Sequence, residues 1–328
     1  MSKKFDWQKL LAPAVLVLLY AVFSILSPNF FSFDYLVNIL NASYYIGFLA
    51  LGVTFVIITG GIDLSLGTTM MTGALLGGYA YTSWGWNIWV CLVFAVLVST
   101  IIGLINGALV AYCKLPPFIA TLGMQMVGMG FGAIVTKVMT MRYPTIGTAD
   151  GFFKNVFYKT SNDFVLPGFP IGAVWLALAF VVAYIILNKT KFGRYTYAMG
   201  SNYEAARLSG IRTEKYKMLV YTLCGFFCGL AGIFYAAVYT TIIPSTGTGH
   251  ETLAIAGVVI GGTSMAGGSG TLVGTIIGVF VMSVLKQGLM SLGLQGHWQT
   301  FFTGIVVIGA VLLDQYRLKK AAEVRKPQ

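Results

Sequence analysis

An all-α fold is what this sequence predicts: a polytopic transmembrane bundle of about ten segments, formed by one domain over residues 1–328, some segments being short or broken. Three observations carry that expectation. Hydrophobic residues make up 57% of the chain and charged residues only 9%, where a soluble domain carries roughly 25% charged residues. The charges are clustered, which leaves apolar runs at 10–26, 88–111 and 174–187, long enough to approach or reach the width of a hydrocarbon core. The basic residues stand in blocks between those runs, so the net charge of +11 reports on topology and not on a nucleic-acid partner.

A window of about 19 residues sets the segments at 10–26, 44–60, 63–81, 88–111, 117–139, 170–188, 217–240, 252–263, 270–289 and 298–313. The first follows Lys3, Lys4 and Lys9 but ends in Ser27, Pro28 and Asn29 with no small-x-small cleavage pattern, so it reads as a retained span and not as a signal peptide. An even number of spans puts both termini on one face. That face collects Lys3, Lys4, Lys9, Lys114, the basic residues between Lys189 and Lys217, and those from Arg317 to Lys326; the other collects Arg142, Lys154 and Lys159. By the positive-inside rule, the termini and the loop 189–216 are expected in the cytoplasm.

Two segments depart from an ordinary span. The run 252–263 is about a dozen residues, a length that suggests a buried, broken or re-entrant piece, and 44–60 is marginal. Both run into glycine-rich stretches, and Gly60, Gly61, Gly67, Gly73 and Gly77 recur 201 positions later as Gly261, Gly262, Gly268, Gly274 and Gly278. The spacing suggests an internal repeat. Gly60, Gly61, Gly67, Gly261, Gly262 and Gly268 are the candidate helix-break glycines, since non-helical backbone at membrane depth survives only where protein or a wet cavity satisfies it.

Asp63 is the informative side chain beside the first break. A carboxylate in apolar surroundings is costly and has to find a partner: with Ser65 it caps the following helix, or it accepts from a solute hydroxyl, or it pairs with Lys137 or Lys286. Asn41, Asn106, Thr121, Gln125 and Gln287 are neutral polar groups that either line a path for an uncharged solute or hold helices together. Lys286 is expected to snorkel outward. Trp84, Trp86 and Trp89 read as an aromatic belt. The outer loop 141–169, with Asp150, Lys154 and Asp163, is either a docking surface or a solvated connector. Cys91, Cys113, Cys224 and Cys228 lack metal-ligand spacing and read as small buried hydrophobes. His250 and His297 are too far apart in the chain to suggest a metal site.

Between Lys189 and Lys217 the chain is too polar for the bilayer and too patterned for a slack connector. Ser201 and Glu204 have capping-box spacing and Gly210 suits a left-handed stop, which predicts a helix of about two turns over 202–209. Such a helix is not stable alone in water. It lies either on the membrane surface and the chain's own span ends, or in the groove of a soluble partner, offering Tyr203, Ala206, Leu208 and Ile211 as an apolar knob and Ala205 and Ala206 for close approach.

These residues carry a resemblance. Glu204, Ala205 and Ala206, followed after three residues by Gly210, resemble the EAA motif that bacterial ATP-binding-cassette importer permeases place in the cytoplasmic loop docking their ATPase. GGIDLSLG from Gly60, LPPFIATLG from Leu115, GSNYEAARLSGI from Gly200 and GGTSMAGGSGTLVGTIIG from Gly261 resemble the signatures of the ribose and galactose type permease family, in order from about Asn38 to Asp314. The resemblance implies a multi-pass permease of the bacterial inner membrane that forms the translocation path for a monosaccharide. It implies as partners a second permease copy or paralogue, a cytoplasmic ATPase that binds ATP and magnesium, and an extracytoplasmic sugar-binding protein. On that reading Ser201, Asn202, Tyr203, Glu204, Ala205, Ala206, Leu208, Gly210 and Ile211 couple to the ATPase, and the chain itself needs no cofactor. It has no GxxxxGK[ST] run and no HExxH or Ser and His pairing that would suggest an enzyme. The rival readings are an ion-coupled secondary transporter, which usually places several ionisable groups inside its spans, and a branched-chain amino acid permease, which GGIDLSLG disfavours.

Overall fold

The computed structural model describes residues 8–159 and 168–324. Lys3, Lys4, Asp163, Arg325 and Lys326 therefore lie outside the described residues. Each of the ten expected segments contains a helix: α1 (Gln8–Leu26), α2 (Phe33–Ile58), α3 (Leu66–Trp84), α4 (Ile88–Ala111), α5 (Pro117–Val135), then after a short α6 (Phe152–Phe157) α7 (Ile171–Lys189), and α10 (Thr213–Tyr239), α11 (His250–Ile260), α12 (Leu272–Ser291) and α13 (Gly296–Val324). Two short helices, α8 (Lys191–Ser201) and α9 (Tyr203–Leu208), fill the polar stretch between α7 and α10. Among the described residues, seven helices are long and apolar enough to cross a membrane, and α11 is a shorter apolar helix.

The 44–60 segment is the lower part of a 26-residue helix and not a marginal span. Asp34, Asn38 and Asn41 depress the local hydropathy, but Ser32 caps the helix by accepting from Tyr35 N at 3.3 Å, and Asp34 sits favourably in its first turn. Every residue of α2 from Asn41 to Ile58 is buried, as an all-round apolar helix must be. α2 is the mast of the bundle, wrapped by α7, α10, α11 and α12. Phe48 of α2 stacks on Phe234 of α10 at 4.5 Å between ring centroids.

Small residues let the helices close on one another. At Gly103 of α4 an added Cβ would lie 2.5 Å from the Tyr221 carbonyl oxygen of α10, and at Gly107 2.6 Å from that of Met218. In lipid, where burial of apolar surface does not drive association, such backbone contact is a main source of helix affinity. α11 and α12 form a hairpin by the same means, Gly257 and Gly261 against Gly274 and Gly278. α2 and α3 diverge after their break instead, while Gly73 and Gly77 seat α3 on α4, so the repeated glycine spacing serves different packing in the two halves.

Some local expectations are corrected. α5 ends at Val135, and Lys137 lies beyond it, exposed and with φ +52°. Cys113 is exposed, while Cys91, Cys224 and Cys228 are buried. The loop after α5 is tied down: β1 (Met141–Arg142) pairs antiparallel with β2 (Thr241–Ile242), Tyr81 donates to Asp150 at 2.9 Å, and Lys154 is buried with its ammonium on the Thr240 hydroxyl. Lys154 is thus turned away from any external partner. Trp84, Trp86 and Trp89 remain partly exposed around the α3–α4 turn, as interface anchors require.

Candidate functional site

Two features at the basic end of the bundle join the sequence motifs. The first is the α8–α9 stub. Thr190 caps α8 by accepting from Gly193 N at 3.4 Å. α9 is capped by Asn202 and not by Ser201: the Asn202 Oδ1 accepts from Ala205 N at 2.9 Å. Ser201 is the last residue of α8, and its place there commits it to that helix, so the capping box does not form. Glu204 pairs instead with Arg207 at 2.8 Å, both side chains being exposed, a contact worth only a few tenths of a kcal/mol.

The expected stop is present in full. Gly210 has φ +83°, its N–H donates to Arg207 O at 3.0 Å and that of Ile211 to Ala206 O at 3.2 Å, the two bonds of a Schellman motif. Ala206 is buried and Tyr203 is half-buried under the Lys217 ammonium, whereas Leu208 is 83% exposed. The anticipated apolar knob therefore divides. Tyr203 and Ala206 hold α9 on the bundle, and Leu208 projects from it.

Directly behind the stub, three glycine segments meet. At Gly200 an added Cβ would fall 1.8 Å from the Ile58 carbonyl oxygen and 2.5 Å from Gly268 N, and Gly268 N itself donates to Ile58 O at 2.8 Å. Gly268 also abuts Ser201, and Tyr197 of α8 donates to Gly270 O at 2.8 Å. Residues next to α9 thus touch the last residue of α2, where the first break (59–65) begins, and the second break, 261–271. Gly60 and Gly262 take left-handed backbone, with φ of +71° and +91°. Gly67 is not a break glycine: it lies inside α3, where an added Cβ would fall 2.0 Å from Gly247 O.

The second feature is a buried polar node between the first break and α4 and α5. Asp63 Oδ1 accepts from Ser65 N at 2.9 Å and Ser65 Oγ at 2.7 Å. Ser65 Oγ accepts from Asn106 Nδ2 at 2.8 Å. Leu64 N donates to Thr121 Oγ1 at 3.1 Å, and Tyr221 Oη to Ile62 O at 3.2 Å. Four of the seven polar residues singled out from sequence, Asp63, Ser65, Asn106 and Thr121, therefore come together, with Asp63 only 3% exposed. The carboxylate neither pairs with a lysine nor caps α3 directly; it folds the turn that leads into α3. Gln125 sits one turn beyond Thr121 on α5, within electrostatic reach of Glu251. Asn41 is elsewhere, high on α2, with its Oδ1 buried and without a hydrogen-bond partner.

Glu251 escaped sequence reasoning. It is 7% exposed on the first turn of α11; one oxygen accepts from Gly249 N at 2.8 Å, and the other, against Gly67, has no hydrogen-bond partner. The available signal was a carboxylate one residue ahead of the short 252–263 run. Asp314 was missed too: it is buried on α13 and accepts from Ser264 Oγ at 3.3 Å and Met265 N at 3.2 Å. Lys286 does not snorkel. It is half-buried and donates to Tyr45 Oη at 2.9 Å, beside His250, Tyr235 and Tyr239. No group of three or more His, Cys, Asp or Glu with metal-holding geometry occurs among the described residues.

Residues 35–311 match the family described as branched-chain amino acid transport system, permease component. The chain is 41% identical over 305 residues to the ribose import permease protein of Escherichia coli (strain K12), covering 91% of each. It is 38% identical to the ribose import permease protein of Bacillus subtilis (strain 168), covering 94% of this chain and 92% of that one. It is 33% identical to the fructose import permease protein of Rhizobium meliloti, covering 94% and 85%. No solved structure matches.

Proposed function

The chain belongs to this family of transport-system permease components, and from that premise we propose that it is the membrane-spanning subunit of an ATP-driven importer for a ribose-class monosaccharide. A permease component is transport machinery and not an enzyme. In this reading it is one domain of the bacterial inner membrane, with both termini and the α8–α9 stub in the cytoplasm. A second copy or paralogue completes the path, an extracytoplasmic binding protein delivers the sugar, and a separate ATPase binds ATP and magnesium.

The observation that carries the reading is the position of α9. Its Schellman stop and Asn202 cap make a rigid stub whose exposed Leu208 suits a partner's groove, and its neighbours Gly200 and Ser201 lie on the end of α2, at the edge of the first break, and on the second break. A partner that pulls on α9 would move those breaks with it, biasing the bundle between two packings. The Asp63 node then acts as the fastening of the first break, with Asn41, Asn106, Thr121 and Gln125 as the candidate polar lining of the path.

The test is reconstitution with the ATPase and binding protein in vesicles: ribose uptake is expected only with all three and with ATP. Uptake driven by an ion gradient without the ATPase would replace this reading with a secondary transporter. A narrower prediction concerns the stub surface. Glu204→Lys should cut ATP-dependent uptake by about tenfold or more, the scale of losing a hot-spot contact, while membrane insertion and thermal stability stay unchanged. A bulky residue at Gly210, where φ is +83°, should have the same effect by undoing the stop. Normal uptake by both variants would remove α9 from the coupling surface.

A further inference from the structure

The structure holds a second polar site that no motif announces. A cavity of about 330 Å³ opens between α11, α12 and α13, lined by Thr248, Thr252, Lys286, Gln299, Thr300 and Thr303 among others. That volume is at the small end of the roughly 300–1,000 Å³ usual for small-molecule sites. Lys286 is five residues from the end of α12, which puts it about 7 Å inside the helix end at 1.5 Å per residue. In the orientation proposed above, that end faces the binding protein.

The lysine is held inward without a counter-charge. Its ammonium donates to Tyr45 Oη and lies 5.6 Å from the centroid of the Tyr45 ring, and among the described residues no carboxylate is paired with it. An ionisable group at this depth is expensive to keep and marks a solute pathway more often than a structural contact. Tyr45 uses one of its three donors. The remaining donors, four threonine hydroxyls and one glutamine amide form a wall that both gives and accepts hydrogen bonds. A fully anionic ligand would call for a second cation; a ring of hydroxyls calls for this mixture.

We propose that this cavity is the outward-facing subsite where a neutral polyhydroxylated sugar first leaves the binding protein, with the Lys286 ammonium donating to a sugar oxygen. The proposal rests on the importer reading and adds a site to it. Lys286 belongs to neither the α9 stub nor the Asp63 node, so its loss leaves ATPase docking and the basic end of the bundle unchanged.

The test uses right-side-out vesicles carrying the complete complex, with Thr300→Cys as an exposed reporter in the cavity and a membrane-impermeant maleimide as the probe. Cys91, Cys224 and Cys228 are buried, and Cys113 follows α4 at the basic end, away from the reagent. Ribose is expected to slow labelling several-fold relative to an equal osmolarity of betaine. Lys286→Met should abolish that protection and lower uptake about tenfold, as losing one charge-assisted hydrogen bond does, and Lys286→Arg should restore both. Equal labelling with and without ribose, together with normal transport by Lys286→Met, would overturn the subsite while leaving the importer intact. Protection by ribose 5-phosphate but not by ribose would overturn the neutral-sugar assignment. Absence of ribose uptake by the unmodified complex would overturn the importer reading and the subsite with it.

Discussion

Replacing Gly200 with valine is expected to reduce ATP-driven uptake to background in a chain that still reaches the membrane. Even the first added carbon would sit 1.8 Å from the Ile58 carbonyl oxygen and 2.5 Å from Gly268 N, and both neighbours are backbone, which no rotamer change can move aside. The Ile58 oxygen is also the acceptor for Gly268 N, so the end of α2 and the second break must separate if α8 is to keep its place. Overpacking of this kind typically costs about 1–3 kcal/mol, and here the displacement falls on the joint between the stub and both breaks. Gly200→Ala should already lose most transport, because its Cβ meets the same atoms. Uptake assays in vesicles, with nucleotide hydrolysis followed in parallel, give the answer. Hydrolysis that continues without transport is the expected signature, and near-normal uptake by the alanine variant would show that the three-segment contact has no part in coupling.

Asp63→Ala is expected to be as damaging by another route. Its carboxylate is the acceptor for both the amide and the hydroxyl of Ser65, and Ser65 Oγ in turn serves Asn106. Removing the acceptor leaves buried donors unsatisfied at about 1–3 kcal/mol each, in a protein whose whole margin is of order 5–15 kcal/mol. The unfolding midpoint in detergent should fall clearly and uptake with it. Asp63→Asn keeps an oxygen in the same place and should recover most of both. If asparagine instead retains full thermal stability but transports nothing, the negative charge is itself used on the solute, and the fastening role assigned to Asp63 is wrong.

These two residues mark the limits of what could be read in advance. Asp63 was legible because a carboxylate in an apolar run has to be accounted for, and Ser65, Asn106 and Thr121 were legible as polar residues in spans. That they converge was not, since Asn106 and Thr121 lie on later helices. Gly200 stands in the sequence only as the first residue of a motif, with no role of its own: that role depends on Ile58 and Gly268, remote in sequence and joined only by tertiary packing. The stop at Gly210 was read correctly because a left-handed glycine is a local requirement. The cap one residue from its expected place was not, because Ser201 and Asn202 are both good caps and only the length of α8 decides between them. Lys286 was misjudged for a related reason, its acceptor Tyr45 being a helix from the other end of the chain.

α2 carries a cost in time. It is enclosed along its whole apolar window, yet α10, which covers so much of it, begins only at Thr213. At ordinary translation speeds of roughly 5–20 residues per second, the ribosome needs on the order of ten to thirty seconds to get from Ile58 to Thr213. Throughout that interval the future centre of the molecule must wait among lipid tails. Its greasy circumference on every side is therefore suited to two hosts in succession, acyl chains first and sister helices afterwards, and Asn41 and Thr54 are the passengers for which the delay is most uncomfortable.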